Sequence, residues 1–233
     1  MIEVRITILG ANGPTGRLLT EQALAADHDV VALTRRPKEF PLAHPKLVVA
    51  GGDVLDPDAV GPVVDGSEAV LSALGTPFTK DEVEVYSRGG QNTIDAMKRF
   101  GTSRLVVVTS GAVTSRPEPT GGLLFNRVLQ PYVMNVLGKT VYDDMRRLEE
   151  LVAASDTEWT VLRPSGLFEL PEVTRYSITE EHGPGRLTSR RDLAAAMLLQ
   201  LTDPRFVRKV AHVITTEDNP SLLSMMWREA RKK

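Results

Sequence analysis

The sequence predicts an α/β fold: a Rossmann-like, doubly wound parallel sheet flanked by helices, with a small substrate-side elaboration in its C-terminal part. Two observations carry this. Segments with strand and helix character alternate through the first two-thirds of the chain, the order that puts parallel strands into one sheet. Several strand segments, Leu105-Val106-Val107-Val108 above all, are continuous runs rich in β-branched residues. Strands covered by helices on both faces have this pattern, whereas half-exposed strands alternate. Right-handed crossovers then place ligands at the carboxyl ends of the strands.

The elements follow in order. A strand from Val4 to Gly10 leads into a helix from Thr15 to Ala26. Strands from Val30 to Thr34 and Leu47 to Ala50 precede a short helix from Ala59 to Val64. The fourth strand, Ala69 to Ala73, is followed by a helix from Asp81 to Phe100, which Gly101 ends as a C-cap. A strand from Arg104 to Thr109, a helix from Gly138 to Ser155 and a strand from Trp159 to Leu162 complete the alternation. The helical segments repeat apolar residues near the 3.6-residue period. A helix from Arg190 to Leu201, a strand from Val210 to Thr215 and a helix from Ser221 to Arg231 close the chain. Residues 114–137 and 164–185 are broken by Pro and Gly and contain no ligand motif. Long excursions of this kind build the substrate side of such folds, here about 114–137 and 164–233, within a single domain over 1–233.

Composition narrows the function. Of 233 residues 42% are hydrophobic and 25% charged, enough apolar mass for a full core. A net charge of −2 supplies no basic field for a phosphate backbone, so nucleic acid is not expected as a partner. No cysteine is present, which removes disulfides, thiolate catalysis and cysteine-ligated metals and fits a reducing cytoplasm. No uncharged run approaches the roughly 18 residues of a membrane span. The expectation is a cytoplasmic protein without membrane contact, monomeric or homodimeric.

The first strand runs directly into Gly10-Ala11-Asn12-Gly13-Pro14-Thr15-Gly16-Arg17, then a helix. Glycines at 10, 13 and 16 allow a sharp turn, close approach of backbone N–H groups to a diphosphate and tight helix–sheet packing. The strand–turn–helix context gives the pattern its force. Thr34-Arg35-Arg36 ends the second strand, where an NAD-binding chain would place Asp or Glu for the ribose hydroxyls. Guanidiniums there suit a 2′-phosphate, so NADP(H) is expected in preference to NAD(H). Asp53 and Val54 after the third strand fit the adenine amino group and ring. Ala73, Leu74 and Gly75 after the fourth would let backbone lie along the riboses, and Thr109 and Ser110 end the fifth. Ser110 either donates to a substrate or caps a turn before Gly111, and Tyr142 anchors the core or donates a proton.

Other chemistries find less support. His28, His44, His182 and His212 lack metal-site spacing and suit surface or capping roles. Asp143, Asp144, Glu149 and Glu150 alternate with Arg146 and Arg147 as on an exposed, salt-bridged helix face rather than a catalytic carboxylate pair. The run from Leu123 to Leu137, with Phe125, Tyr132 and Met134, suits core or a subunit contact more than a substrate wall. No Gly-x-Ser-x-Gly elbow occurs.

Taken with Val107-Val108-Thr109-Ser110, Trp159 to Pro164 and Leu187 to Ala194, these motifs resemble the atypical short-chain dehydrogenases/reductases. Within them the NmrA-like and biliverdin/flavin reductase-type NAD(P)H-binding proteins are most similar, and the likeness runs over almost the whole chain. The resemblance implies Arg35 at the adenosine 2′-phosphate, Asp53 and Val54 at adenine, Gly75 along the cofactor, Ser110 beside the nicotinamide, and Pro164 and its successors flanking the carboxamide. One position departs: Met145 stands where many relatives carry an active-site Lys, and no Tyr-x-x-x-Lys pair occurs. The expected cofactor-binding set is therefore Gly10, Asn12, Gly13, Thr15, Gly16, Arg17, Thr34, Arg35, Arg36, Asp53, Val54, Ala73, Leu74, Gly75, Thr109 and Pro164. Ser110 and Tyr142 are the catalytic candidates, and no metal is expected. The expected function is NADPH-dependent hydride transfer to a small planar acceptor of flavin or quinone type. The alternatives are a non-catalytic NADP(H)-binding redox sensor and an NAD(P)-dependent epimerase/isomerase relative.

Overall fold

The structure, a computed structural model, describes residues 3–114, 138–181 and 187–217. Strands β1 (Arg5–Leu9), β2 (Asp29–Thr34), β3 (Leu47–Gly51), β4 (Ala69–Ser72), β5 (Arg104–Val108) and β6 (Glu158–Pro164) lie in one sheet with β10 (Lys209–Thr215) and β8 (Tyr176–Thr179). Their order is β3-β2-β1-β4-β5-β6-β10-β8, parallel throughout except where β8 runs antiparallel to β10. The order reverses between β1 and β4, where doubly wound sheets open a crevice for ligand. A small parallel pair, β7 (Gly166–Phe168) with β9 (Leu187–Ser189), stands beside this sheet.

Alternate side chains of each central strand serve opposite faces. On one face Ile6, Ile8 and Val106 pack against Leu19 and Ala23 of α1 (Pro14–Ala25) and Leu193 and Met197 of α5 (Arg190–Leu199). On the other, Leu9, Leu105 and Val107 meet α2 (Pro57–Val64), α3 (Ser87–Phe100) and α4 (Lys139–Ala154). The β-branched runs are thus buried on both sides, as their continuity requires. Asp56 caps α2 by accepting from the Asp58 N–H, and Gly101 ends α3 at φ 77°. Among the described residues no helix is long and apolar enough to cross a membrane.

At three places the structure corrects or adds to these expectations. Helix α3 begins at Ser87 rather than Asp81, because the Val83 carbonyl and the Tyr86 and Ser87 N–H groups are bound by α4 rather than within a helical turn. The Val83 carbonyl accepts from Arg147, and the N–H groups of Tyr86 and Ser87 donate to Asp144. Residues 164–181 hold β7 and β8, strands too short to show a period. The acidic face of α4 is not solvated throughout: Asp143 forms the expected pair with Arg146 and a further one with Lys139, but Asp144 is fully buried and the Glu149 side chain is only 12% exposed. The helix from Ser221 to Arg231, the run from Leu123 to Leu137 with Phe125, Tyr132 and Met134, and His182 fall outside the described residues.

Candidate functional site

A cavity of about 1470 Å³ opens along the carboxyl ends of β1, β2, β4, β5 and β6. Its floor at β1 is the glycine turn. Gly10 adopts φ +72°, and a Cβ there would stand 2.6 Å from the Ala73 carbonyl oxygen, so the turn lies directly against the end of β4. A Cβ on Gly16 would overlap the Gly10 carbonyl oxygen, which fixes α1 close to the sheet. Gly13 starts α1 with Pro14 behind it, no side-chain cap and no acidic residue in the first turn. The positive end of this helix therefore faces the cavity without protein compensation. Asn12, Gly13 and Thr15 line the wall. Gly16 and Arg17, expected there, do not: Gly16 serves packing, and Arg17 turns outward to donate from Nε to Asn12 Oδ1 at 2.9 Å.

The end of β2 supplies the basic rim. Thr34 Oγ1 accepts the Arg36 N–H at 3.2 Å and shapes the turn that carries both arginines. Arg36 pairs with Glu39 at 3.1 Å, whereas exposed Arg35 has no ion-pair partner among the described residues. Asp53 uses one carboxylate oxygen on the Leu55 N–H, and Val54 is buried behind it with its carbonyl held by Asn92. Ala73, Leu74 and Gly75 continue the wall, and Gly75 has open space where a side chain would begin.

At the far end, Ser110 accepts the Ala112 N–H at 3.2 Å and caps a short 3-10 turn. Its side chain therefore does what a capping serine does and still lines the cavity, with its own proton left to donate. The Thr109 hydroxyl is turned away to Glu149 at 2.7 Å, so Thr109 can meet a ligand only through its backbone. Glu149 also receives Arg163 in a two-point pair, which ties the ends of β5 and β6 to α4. Tyr142 and Met145 project from α4 into the wall, and Phe78 meets the Tyr142 ring edge-on at 5.8 Å. Burial pushes the Tyr142 phenol above its usual 10, so it is protonated at neutral pH. Behind it, burial raises Tyr86 to about 12. Arg146, four residues after Tyr142, pairs with Asp143 and the Val113 carbonyl and lies outside the cavity.

Several wall residues had no signal in the sequence. Pro164 and its successors, Ser165 first, were anticipated, but Leu167 of β7, Glu181 beyond β8, Leu187 of β9, Arg190 at the start of α5 and His212 of β10 join them. His28 and His212 are buried rather than superficial. His28 does cap backbone, through Nδ1 to the Val4 N–H, and His212 stands near Gly111 and Ser165. The one early hint was the segment around Arg190 and Asp192, whose place in the wall depends on the β7–β9 pair. No group of three or more His, Asp or Glu arranged to hold a metal occurs among the described residues.

Residues 10–204 match a family model described as NAD(P)H-binding. A curated uncharacterized chloroplastic protein of Arabidopsis thaliana is 26% identical over 229 residues, covering 93% of this chain and 78% of that protein. An uncharacterized Mycobacterium tuberculosis protein is 27% identical over 208 residues, but the chain spans only 23% of its length. Among solved structures, a short-chain dehydrogenase/reductase of Veillonella parvula in complex with NADP superposes with a TM-score of 0.77 at 21% identity, covering 95% of this chain and all of that one. The anaerobilin reductase ChuY of Escherichia coli O157:H7 gives 0.72 at 19% identity over 93% of this chain and 100% of its own. At these identities the likeness is one of fold: both have the architecture found here.

Proposed function

Since the chain belongs to the NAD(P)H-binding family, we propose that it is an NADPH-dependent oxidoreductase that transfers hydride to a small planar acceptor. The observation that carries this reading is the continuity of the cavity from Arg35 to Ser110 and Tyr142. Its volume of about 1470 Å³ exceeds the roughly 300–1,000 Å³ of a single-ligand pocket, which supports a reading with a second molecule beside the dinucleotide. The glycine turn suits the cofactor as well: no side chain intrudes at 10, 13 or 16, and the uncapped start of α1 calls for an anion.

In this reading Gly13 and Thr15 hold the diphosphate through the start of α1, Arg35 pairs with the 2′-phosphate, and Asp53 and Val54 receive the adenine. Ala73, Leu74 and Gly75 border the ribose path, and Pro164 and the Thr109 backbone border the nicotinamide. The reduced cofactor, when bound, supplies the hydride. The chain's own contribution is orientation, exclusion of water by Leu167, Leu187, Phe78 and Met145, and a hydrogen bond from the Ser110 hydroxyl to an oxygen or nitrogen of the acceptor. Tyr142 keeps its proton, and Met145 provides neither charge nor donor to lower its pKa. A flavin or quinone type of acceptor tolerates this, because water can protonate it after reduction.

Met145 also favours a second reading, a binding protein that senses NADP(H) without turnover. A panel of acceptors, with menadione and FMN as the first probes, separates the two. NADPH oxidation above the buffer rate is expected. Tight NADPH binding with no oxidation by any acceptor would establish the sensor instead.

A further inference from the structure

Positive charge accumulates at the start of α1 beyond what the glycine turn provides. Arg190 is the first residue of α5, and its Nη1 lies 3.4 Å from Oγ1 of Thr15 in the first turn of α1. A cation at this place opposes the dipole of its own helix and that of α1. The nearest acid in sequence does not relieve it: Asp192 is buried and accepts from the Thr174 N–H, the Thr174 hydroxyl and the Thr215 hydroxyl. The partner Arg190 has is Glu169, at 2.8 Å from Nε, with a side chain 57% exposed against 25% for the arginine. Arg190 lines the cavity and Glu169 does not. A solvated carboxylate on a half-buried guanidinium is a weak, displaceable partner.

We propose that Arg190 is a further ligand of the cofactor diphosphate, held against the start of α1, and that Glu169 competes with the diphosphate for it. The inference rests on the dinucleotide site of the preceding section and adds to it a residue from a second helix, which packs beside α1 on the same face of the sheet. A planar guanidinium can bridge two phosphate oxygens while Thr15 and the α1 amides hold others. Binding then exchanges one anion for another at Arg190 and leaves Glu169 to solvent.

Calorimetric titration of NADPH, NADH and adenosine 2′-monophosphate into wild type, Arg190→Gln, Arg190→Lys and Glu169→Gln tests this. Arg190→Gln should weaken both dinucleotides alike by about tenfold or more, as loss of a charge-assisted contact predicts, and leave the monophosphate unchanged. Arg190→Lys should fall between, and Glu169→Gln, a mild change at an exposed position, should tighten both dinucleotides about two- to fivefold. Arg35→Glu should instead weaken NADPH and the monophosphate and spare NADH. If that selectivity fails while Arg190→Gln still weakens both dinucleotides, the 2′-phosphate assignment falls and Arg190 stands. Dinucleotide affinities within twofold of wild type in Arg190→Gln overturn the phosphate role, and unchanged or weaker affinity in Glu169→Gln overturns the competition.

Discussion

Replacing Asp144 by Asn removes one charge from a fully buried position and should unfold the protein far more readily. The carboxylate accepts the Tyr86 N–H at 2.8 Å, the Ser87 N–H at 3.3 Å, the Ser87 hydroxyl and the Arg147 guanidinium at 3.1 Å. It is in effect the N-cap of α3, supplied by α4. An amide keeps the volume but offers one acceptor oxygen, and its NH₂ group then faces donors. Stranding one or two buried donors costs about 1–3 kcal/mol each, partly relieved by reorientation of the exposed Arg147, so roughly 2–4 kcal/mol is expected. At 2–4 °C per kcal/mol for a domain of this size, the melting temperature should fall by about 5–15 °C. Thermal unfolding followed by circular dichroism reads this directly. A loss below about 2 °C would refute the view that Asp144 closes α3 and, with it, the account of why that helix starts late.

Ser110→Ala should lower kcat with menadione about tenfold, near 1.4 kcal/mol, whereas Tyr142→Phe should change it less than about threefold; abolition of turnover by Tyr142→Phe with NADPH affinity intact would show a proton relay through α4. Because burial holds the Tyr142 phenol above 10, the rate should show no limb from it between pH 6 and 9. Burial also holds His28 below its ordinary 6.5, so stability present above that pH is lost as pH falls toward the folded-state value. Urea unfolding from pH 7.5 to 5 should show this decline, and His28→Asn, which keeps an acceptor for the Val4 N–H, should flatten it; equal slopes contradict the assignment.

The features visible in the sequence are those set by neighbours along the chain. Gly10, Gly13 and Gly16 declare a tight turn because their spacing is itself the mechanism, and Leu105 to Val108 declare a doubly covered strand through composition alone. Arg35 could be placed because the end of β2 follows from the strand pattern. Asp144 and Glu149 looked solvated since Arg147 and Arg146 each stand three residues away on the same helix, yet their dominant partners, Ser87 and Arg163, lie on other elements. His212 and Arg190 reach the cavity only because β10 and the β7–β9 pair carry them there, and strands of three or four residues leave no period to detect. Helix α3 shows the same limit: its start is decided by α4, not by its own residues.

The cofactor preference bears most directly on the account, since the whole cavity is read from Arg35 inward. Calorimetric dissociation constants for NADPH and NADH should differ by roughly tenfold or more in wild type at low salt, as a charge-assisted contact to the 2′-phosphate implies. Arg35→Glu should erase or invert that ratio while moving the NADH constant less than about threefold. Equal affinities for the two cofactors in wild type, unchanged by the substitution, would contradict it.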